Sequence, residues 1–298
     1  MELRQLRYFL GVADTIHFRR AALALHVSQP TLSQQIQQLE KELGTILFDR
    51  IGKRVRLTVA GEIFRTYAQR VLHELDEAQV ALLELDGLKR GKLYVGAVQT
   101  LNTYLIPPII ARFTTSHPGV FLSVEELTAS QIEQELWLGR LNLGISFVSP
   151  ATDEIASEPL FEEELVLIAS SRHRLAKRKV VKMKELDAES LVLLPTAFYP
   201  RQLFDEKAKE IGIRPRVAVE MNSIEGILGA IRSSGGVTVL PALALTKKET
   251  GLRAIALTEP TPRRTVGLLW RRGCYRCNAT NAFVEYAHAV VERYATPG

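Results

Sequence analysis

Four uncharged polar residues near the N-terminus have the types and spacing needed to bind the bases of DNA. They are Gln29, Thr31, Ser33 and Gln34, within the segment SQPTLSQQIQQLE. Amide and hydroxyl groups both donate and accept hydrogen bonds, as contact with base edges in the major groove requires. On a helix they would point away from an apolar stripe that begins at Leu32. The pattern therefore predicts a helix whose N-terminal residues can read bases.

Two short helices joined by a tight turn would position these groups. Apolar residues at Phe18, Ala21, Ala22 and Leu25 follow the spacing of one helix face. Ser28 is a good N-cap for the second helix, and the proline two residues later suits its first turn. Such a pair is typical of a helix-turn-helix, whose second helix enters the major groove. The alternative is a polar-faced helical hairpin within some other all-α region.

Positive charge is concentrated beside this motif. Residues 1–70 contain eleven Lys or Arg and six Asp or Glu, an excess of five that equals the net charge of the whole chain. Such cations would bind phosphates, although a run of charges can also be a solvated face. The predicted DNA-binding set combines these cations with the helix residues: Arg19, Arg20, Ser28, Gln29, Pro30, Thr31, Ser33, Gln34, Arg50, Lys53, Arg54 and Arg56.

A hairpin and a long helix follow the motif. The segment LFDRIGKRVRLT alternates apolar and basic residues around Gly52, which predicts a wing with cations on its exposed side. Thr58 would cap a helix that runs to about Leu85. A heptad seam in this helix predicts a dimer with a second copy of the chain, the alternative being a helix packed on its own domain. The seam comprises Phe64, Tyr67, Val71, Leu75, Ala78, Leu82 and Leu85.

The pattern of apolar residues changes after a polar hinge at Gly87–Lys92. From Leu93 onward, short apolar strands alternate with helices of about ten residues, which predicts βαβ units and a mostly parallel sheet. One helix is expected to run from Tyr104 to Thr115, so that residues 99–103 would precede it. The predicted fold class is therefore α/β, preceded by a winged helix-turn-helix and a long linker helix.

Composition limits the classes of function. No run of eighteen apolar residues exists, so no membrane span is predicted, and the amphipathic N-terminus is not typical of a secretion signal. Two cysteines, Cys274 and Cys277, fit a reducing cytoplasm. Their C-x-x-C spacing also occurs in redox and metal motifs, but unpaired structural thiols are the simpler interpretation. Six histidines show no metal-binding spacing, so neither a metal nor a cofactor is predicted.

Two motifs carry a resemblance to a known family. They are LRYFLGVADTIHFRRAALALHVSQPTLSQQIQQLEKELGTILFDR and, after the wing, LTVAG. The chain resembles the LysR-type transcriptional regulators over essentially its whole length, and SLVLLPTAF and MNSIEGILGAIR look most like the cyanate-operon regulator branch. One departure is the presence of Ile16, His17 and Arg19 where the family usually has a small Gly or Ser pair and a hydroxyl residue. A hydroxyl helix cap is thereby lost and a cation gained.

The resemblance implies a domain order and an effector domain folded like a periplasmic binding protein. That domain would consist of two α/β subdomains joined by crossovers near Phe161–Glu163 and Arg264–Val266, with a small inducer in the cleft between them. The implied boundaries are 1–58 for the winged helix-turn-helix, 59–90 for the dimerising linker helix and hinge, 91–162 with 266–298 for subdomain I, and 163–265 for subdomain II of the effector domain (91–298).

Polar residues at several predicted strand ends indicate where the inducer would bind. Ligands of open α/β sheets bind beyond the carboxyl ends of the strands, and free N–H groups at a helix start favour an anion. A small carboxylate or other small anion is therefore the expected inducer, although each threonine alone could be an ordinary helix cap. The predicted effector-binding residues are Gln99, Thr100, Leu101, Asn102, Thr128, Phe147, Ser149, Thr196, Ala197 and Phe198.

Three hypotheses of function follow. The leading one is a cytoplasmic, ligand-responsive bacterial transcription factor that binds a dyad-symmetric operator as a dimer or homotetramer. The second is a small-molecule enzyme with a DNA-binding head, but the strand ends offer no His, Lys or carboxylate pair for catalysis. The third is a ligand-independent architectural DNA binder, which would not need a large α/β region. The sequence leaves open the inducer, the operator, and the choice between activation and repression.

Overall fold

A computed structural model describes residues 1–51, 54–85, 91–148, 152–245 and 250–295. The chain divides into two compact units. The first unit contains residues 1–88, and the second contains residues 89–137 and 141–298. Within the described ranges, no helix is both long enough and apolar enough to cross a membrane.

The first unit is a winged helix-turn-helix followed by a long helix. Its elements are α1 (Leu3–Thr15), α2 (Phe18–Ala24), α3 (Gln29–Leu43), β1 (Phe48–Ile51), β2 (Arg54–Leu57) and α4 (Val59–Leu85). The ring of Phe9 lies at the centre of the core, 5.2 Å from the ring of Phe48 and 4.9 Å from that of Phe64. Because Phe48 begins the wing and Phe64 lies on α4, these contacts pack both the wing and α4 against α1.

Both helices of the motif begin with side-chain caps. The Oγ of Ser28 accepts a hydrogen bond from the backbone N–H of Thr31 at 3.2 Å, as the sequence predicts for the start of α3. At the start of α2, the Nδ1 of His17 accepts from the backbone N–H of Arg20 at 3.4 Å. The imidazole therefore replaces the hydroxyl cap that is absent at this point in the sequence.

Two polar residues fix the wing to the helices on either side of it. The Oε1 of Glu40 on α3 accepts from the backbone N–H groups of Leu47 and Phe48, at 2.8 Å and 3.1 Å. Thr58 caps α4 by accepting from the backbone N–H of Gly61 at 2.9 Å. A Cβ atom at Gly61 would clash with the carbonyl oxygen of Leu47, so the close crossing of α4 and the wing requires glycine. This explains why the LTVAG motif ends in glycine.

The second unit is an α/β fold built on one sheet. Its elements are β3 (Gly91–Ala97), α5 (Gln99–Tyr104), α6 (Ile106–Ser116), β4 (Val120–Glu126), α7 (Ala129–Trp137), β5 (Leu143–Phe147), β6 (Ile155–Ser170), β7 (Val180–Lys182), β8 (Ser190–Leu193), α8 (Tyr199–Glu210), β9 (Arg216–Glu220), α9 (Ile224–Ser234), β10 (Val237–Pro241), β11 (Leu252–Thr258), β12 (Arg263–Arg271) and α10 (Asn278–Ala295). The main strand order is β4-β3-β5-β12-β6-β10-β8-β9, and β11 pairs with β6 and β7.

The sheet is mixed, so the expectation of a mostly parallel sheet was wrong. Strands β3, β4 and β5 run parallel to one another, as do β8, β9 and β10, but the two longest strands, β6 and β12, are antiparallel to each other and to their neighbours. Strand β6 pairs with β12 up to Glu164 and with β10 from Leu165 onward. One continuous strand, β6, thus connects the half of the sheet that contains β3, β4 and β5 with the half that contains β8, β9 and β10.

Candidate functional site

The N-terminal part of α3 presents the predicted base-reading residues to solvent. Gln29, Thr31 and Gln34 are exposed and Ser33 is half-buried. Leu32 lies on the opposite face and is fully buried in the core of the first unit. The helix therefore offers an uncharged hydrogen-bonding face whose orientation is fixed by the core behind it.

Ser28 and Pro30 contribute to this face mainly through the backbone. The hydroxyl groups of Ser28 and Thr31 lie 2.8 Å apart, and Ser28 also accepts from the N–H of Thr31. Pro30 is exposed in the first turn of α3, where its missing N–H costs no hydrogen bond. Both residues thus set the start of the recognition helix, and both remain accessible to a ligand.

The predicted phosphate-binding cations lie on α2 and on the wing. Arg19 and Arg20 are exposed in the first turn of α2, and Arg56 is exposed on β2, opposite Asp49 of β1. Arg50 and Arg54 occupy strand positions, with their side chains outside the described part of the structure, and Lys53 lies outside the described residues.

Half of the predicted effector residues line one narrow cleft in the second unit. The lining residues are Val98, Gln99, Thr100, Leu127, Thr128, Ala129, Phe147, Phe198, Tyr199 and Pro200. Only about 10 Å³ of the cleft admits the centre of a water molecule, which is room for about one water. In this conformation it is therefore almost closed.

The other predicted effector residues lie elsewhere. Leu101 is fully buried, because it is on the core-facing side of α5. Asn102 faces the edge strand β4, where its Nδ2 donates to Glu126 at 3.1 Å. Thr196 and Ala197 are exposed but are not among the described residues that line the cleft. Ser149 lies outside the described residues.

The helix predicted from Tyr104 to Thr115 is α6, which begins at Ile106, but the short helix α5 before it was not predicted. Helix α5 already begins at Gln99, with Val98 as its N-cap, and a new helix begins at Ile106. The sequence at residues 107 and 108 is Pro-Pro, which suits the first turn of a new helix but cannot continue an existing one. Helix α5 is also short, so an anion site formed by its N-terminal N–H groups is not supported. Thr100 lies within α5 and makes no cap.

A buried arginine, Arg264, contacts two of the residues that line the cleft, Thr100 and Phe147. Arg264 on β12 lies directly opposite Glu163 on β6, and its side chain is 0% exposed. Its Nε donates to Glu163 Oε1 at 2.6 Å, and its Nη2 donates to Thr100 Oγ1 at 2.9 Å. The ion pair at the junction of the two long strands is thereby connected to the wall of the cleft.

Tyr104 completes this buried network. Its hydroxyl group donates to Glu163 Oε2 at 2.7 Å. Burial, followed by the negative charge of Glu163, raises the pKa of the Tyr104 phenol well above its ordinary value. The phenol therefore keeps its proton and remains a hydrogen-bond donor to the carboxylate.

Two aromatic rings extend the network into the cleft. The guanidinium carbon of Arg264 lies 4.4 Å from the centroid of the Phe147 ring. The rings of Phe147 and Tyr199 are stacked, with centroids 4.3 Å apart and planes inclined by 22°. Sequence reasoning found Phe147 but missed Arg264, Glu163 and Tyr199. The only sequence signal for Glu163 and Arg264 is that both are charged residues near apolar strand residues at the two implied crossovers.

The C-x-x-C pair lies at the start of α10. Cys274 is half-buried and Cys277 is buried, and no disulfide joins them. The Sγ of Cys277 lies 3.2 Å from Thr280 Oγ1. Neither cysteine is among the described residues that line the cleft. Within the described ranges, no group of three or more His, Cys, Asp or Glu side chains is placed to hold a metal ion.

Comparisons with known proteins identify the family of this chain. The family model for the bacterial regulatory helix-turn-helix protein of the lysR family matches residues 3–62, and that for the LysR substrate binding domain matches residues 86–292. The chain belongs to the LysR family of bacterial transcriptional regulators. Its first unit contains the DNA-binding helix-turn-helix, and its second unit contains the effector-binding domain. Members of the family are regulators, not enzymes.

Several LysR relatives align along nearly the whole chain. The DNA-binding transcriptional dual regulator OxyR of Escherichia coli is 32% identical over 275 residues, which is 92% of this chain and 90% of that protein. The RuBisCO operon transcriptional regulator of Allochromatium vinosum is 33% identical over 288 residues, covering 96% of this chain and 95% of that protein. Assignment to the cyanate-operon branch of the LysR family stays a prediction.

Solved LysR structures have the same fold. A full-length OxyR variant from Pseudomonas aeruginosa matches with a TM-score of 0.77 at 29% identity, covering 98% of this chain and 95% of that chain. Full-length CbnR in complex with its target DNA matches with a TM-score of 0.70 at 27% identity, covering 97% of this chain and 100% of that chain.

Proposed function

We propose that the N-terminal residues of α3 read the bases of a dyad-symmetric operator. The observation that carries this proposal is the exposed, uncharged face of Gln29, Thr31, Ser33 and Gln34, held by a helix whose other face is fully buried. These groups match the donor and acceptor pattern of base edges in the major groove. A cytoplasmic location forms part of the proposal, because bacterial DNA is found there.

The cations around α3 are proposed to bind phosphates and not bases. They are Arg19, Arg20, Arg50, Lys53, Arg54 and Arg56, and the N-cap Ser28 with Pro30 in the first turn would place the backbone of α3 against the DNA. Phosphate contacts carry no sequence information, but each one displaces counterions from the DNA. Operator binding should therefore weaken steeply as salt is added.

Helix α4 is proposed to hold two copies of the chain together. Among its apolar residues, Tyr67 and Val71 are exposed, and Leu82 is 65% exposed. Apolar residues repeated along one exposed helix face are typical of a helix that packs on another copy. A dimer formed in this way would carry two DNA-binding heads, which fits an operator with two half-sites. Pairing of two such dimers into a tetramer is part of the same proposal, as are domain boundaries at residues 58 and 90.

The cleft of the second unit is proposed to bind a small effector that controls DNA binding. The residues that support it are those at the cleft wall, Gln99, Thr100, Thr128, Phe147 and Phe198. The effector must bind one arrangement of the effector domain more tightly than another, since otherwise it would shift no equilibrium. Several relatives are named hydrogen peroxide-inducible genes activators. In this chain both cysteines lie away from the described cleft lining, so we propose a noncovalently bound effector.

A comparison of two single variants on one operator tests the DNA-binding proposal. The operator is first selected from random duplex DNA with the full chain, and binding is then measured by fluorescence anisotropy over a range of salt concentrations. Gln29→Ala should reduce the preference for the operator by about 1–3 kcal/mol, because a base contact is lost. Arg56→Ala should weaken binding to every sequence and lower the salt slope by about 1.

Gln37→Ala is the matched control, because Gln37 is an exposed glutamine further along α3. It should leave operator preference and salt dependence unchanged. Unaltered operator preference in Gln29→Ala would show that this end of α3 does not read bases.

A further inference from the structure

Two buried polar atoms of opposite chemical type lack partners, one on Gln99, which lines the cleft, and one on Arg264, which contacts the lining residues Thr100 and Phe147. Within the described part of the chain, neither Nη1 of Arg264 nor Oε1 of Gln99 has a hydrogen-bond partner. The first is a donor on a cation, and the second is an acceptor. We propose that the effector carries a carboxylate together with a hydroxyl or ammonium group, and that Arg264 and Gln99 select these two groups. This inference rests on the proposed binding of an effector in the cleft.

The donors around Arg264 match a carboxylate. Its Nε and Nη2 atoms bind Glu163 and Thr100, which leaves only Nη1 without an acceptor. Because Arg264 donates to the Thr100 oxygen, the hydroxyl hydrogen of Thr100 is available for a further acceptor. Nη1 and the Thr100 hydroxyl are thus two donors on adjoining side chains, one of them charged. Two carboxylate oxygens can accept from both, and charge-assisted hydrogen bonds are the stronger kind.

The unpartnered Oε1 of Gln99 is an acceptor, so it would bind a hydrogen-bond donor on the same ligand. The Nε2 of Gln99 donates to the backbone carbonyl of Asn222, which fixes the orientation of the side-chain amide. Its Oε1 is therefore left as a buried acceptor, and leaving such a group unpaired is costly. Gln99 and Thr100 both line the cleft, so a ligand whose carboxylate binds Thr100 can present its hydroxyl or ammonium group to Gln99.

The size of the cleft restricts the ligand to a small molecule. The cleft admits the centre of a water molecule over only about 10 Å³, far below the roughly 300–1,000 Å³ of pockets for drug-sized ligands, so even a small ligand must widen it. The rings of Phe147 and Tyr199, which both line the cleft, are stacked on each other. Small hydroxy acids and amino acids carry the required groups on few atoms, so they would require the least widening of the cleft.

Matched trios of small compounds test this assignment on the full chain. Each trio contains a hydroxy acid, the same acid without its hydroxyl, and the hydroxy acid with its carboxylate converted to an amide. Lactate, propionate and lactamide form one trio, and malate, succinate and malamide form another, with alanine and aspartate as the ammonium-bearing acids. Compounds that raise the melting temperature are then titrated by calorimetry, and their effect on operator binding is measured.

The hydroxy or amino acid should bind best in at least one series. The amide should bind about tenfold to hundredfold more weakly, because it loses charged hydrogen bonds, and the acid without its donor about twofold to tenfold more weakly. Gln99→Leu should abolish the preference for the hydroxyl or ammonium group and retain the preference for the acid over its amide. Gln134→Leu, at an exposed glutamine of α7, should retain both.

Three results would overturn the assignment. The amide could bind as tightly as the acid, Gln99→Leu could keep the preference for the hydroxyl, or no acid could alter either melting or operator binding. In the last case, a neutral or cationic compound that alters operator binding in the same assay would leave the proposed effector function intact. If no compound altered operator binding, both the proposed effector function and the assignment of the effector's groups would be contradicted.

Discussion

Removal of one partner from the Glu163–Arg264 ion pair should strongly destabilise the second unit. The side chain of Glu163 is 3% exposed and that of Arg264 is 0% exposed, so water cannot solvate either charge when its partner is removed. Arg264→Met keeps a long side chain in the core but leaves the carboxylate with only the Tyr104 hydroxyl as a described side-chain partner. Breaking a buried pair in this way costs about 3–5 kcal/mol of unfolding free energy.

This cost corresponds to a large thermal shift. For a unit of about 200 residues, each kcal/mol lowers the melting temperature by about 2–4 °C. Arg264→Met should therefore melt roughly 6–20 °C lower in a calorimetric scan of the full chain. In the double variant Glu163→Gln with Arg264→Met no uncompensated charge remains, and the amide oxygen that replaces the carboxylate can still accept from Tyr104. This double variant should regain about 0.5–3 kcal/mol relative to the sum of the two single variants.

The neighbouring pair on the same two strands is the matched control. Arg263 and Glu164 lie 2.8 Å apart, but their side chains are 62% and 44% exposed. Arg263→Met should cost less than about 1 kcal/mol, as surface pairs do. If Arg264→Met cost no more than Arg263→Met, or if the double variant lost the full sum of its two single variants, the inner pair would not be behaving as a desolvated unit.

Three further predictions concern the linker helix, the cleft and the wing. Val71→Asp together with Leu82→Asp places charges on exposed apolar residues of α4 and should yield a monomer in sedimentation analysis; a stable dimer would contradict the proposed interface. Thr100→Val should lower effector affinity by about tenfold or more in calorimetry while operator binding without effector persists, and unchanged affinity would remove Thr100 from the site. Glu40→Ala leaves two wing N–H groups without their acceptor and should cost the first unit about 1–3 kcal/mol in urea unfolding, whereas Gln37→Ala should cost little.

The first unit could be predicted in detail because its signals are local. A cap such as Ser28 acts on the N–H three residues away, and the apolar stripe of α3 repeats every three or four residues. Both can therefore be recognised within a short window of sequence. Replacement of the hydroxyl cap by His17 was not predicted, because imidazole seldom has this role.

The cleft was predicted in outline, but its polar centre was not. Thr100 and Phe147 lie at strand ends, where the general rule for α/β sheets places ligands. Glu163 and Arg264 are 101 positions apart, and only the pairing of β6 with β12 brings them together. Local periodicity carries no information about such a pairing. The first half of β6 was missed as well, because most of its residues are only partly buried and give no continuous apolar run.

The continuity of β6 also determines how the second unit can unfold. Strand β12 fits between β5 and β6 but comes from a distant part of the chain, so neither half of the sheet is encoded by one uninterrupted segment. A fragment that stopped before β12 would leave β5 and β6 with unpaired edges, which invite aggregation. The two halves should consequently unfold in a single cooperative step, and a proteolytic cut between them should release no stable fragment.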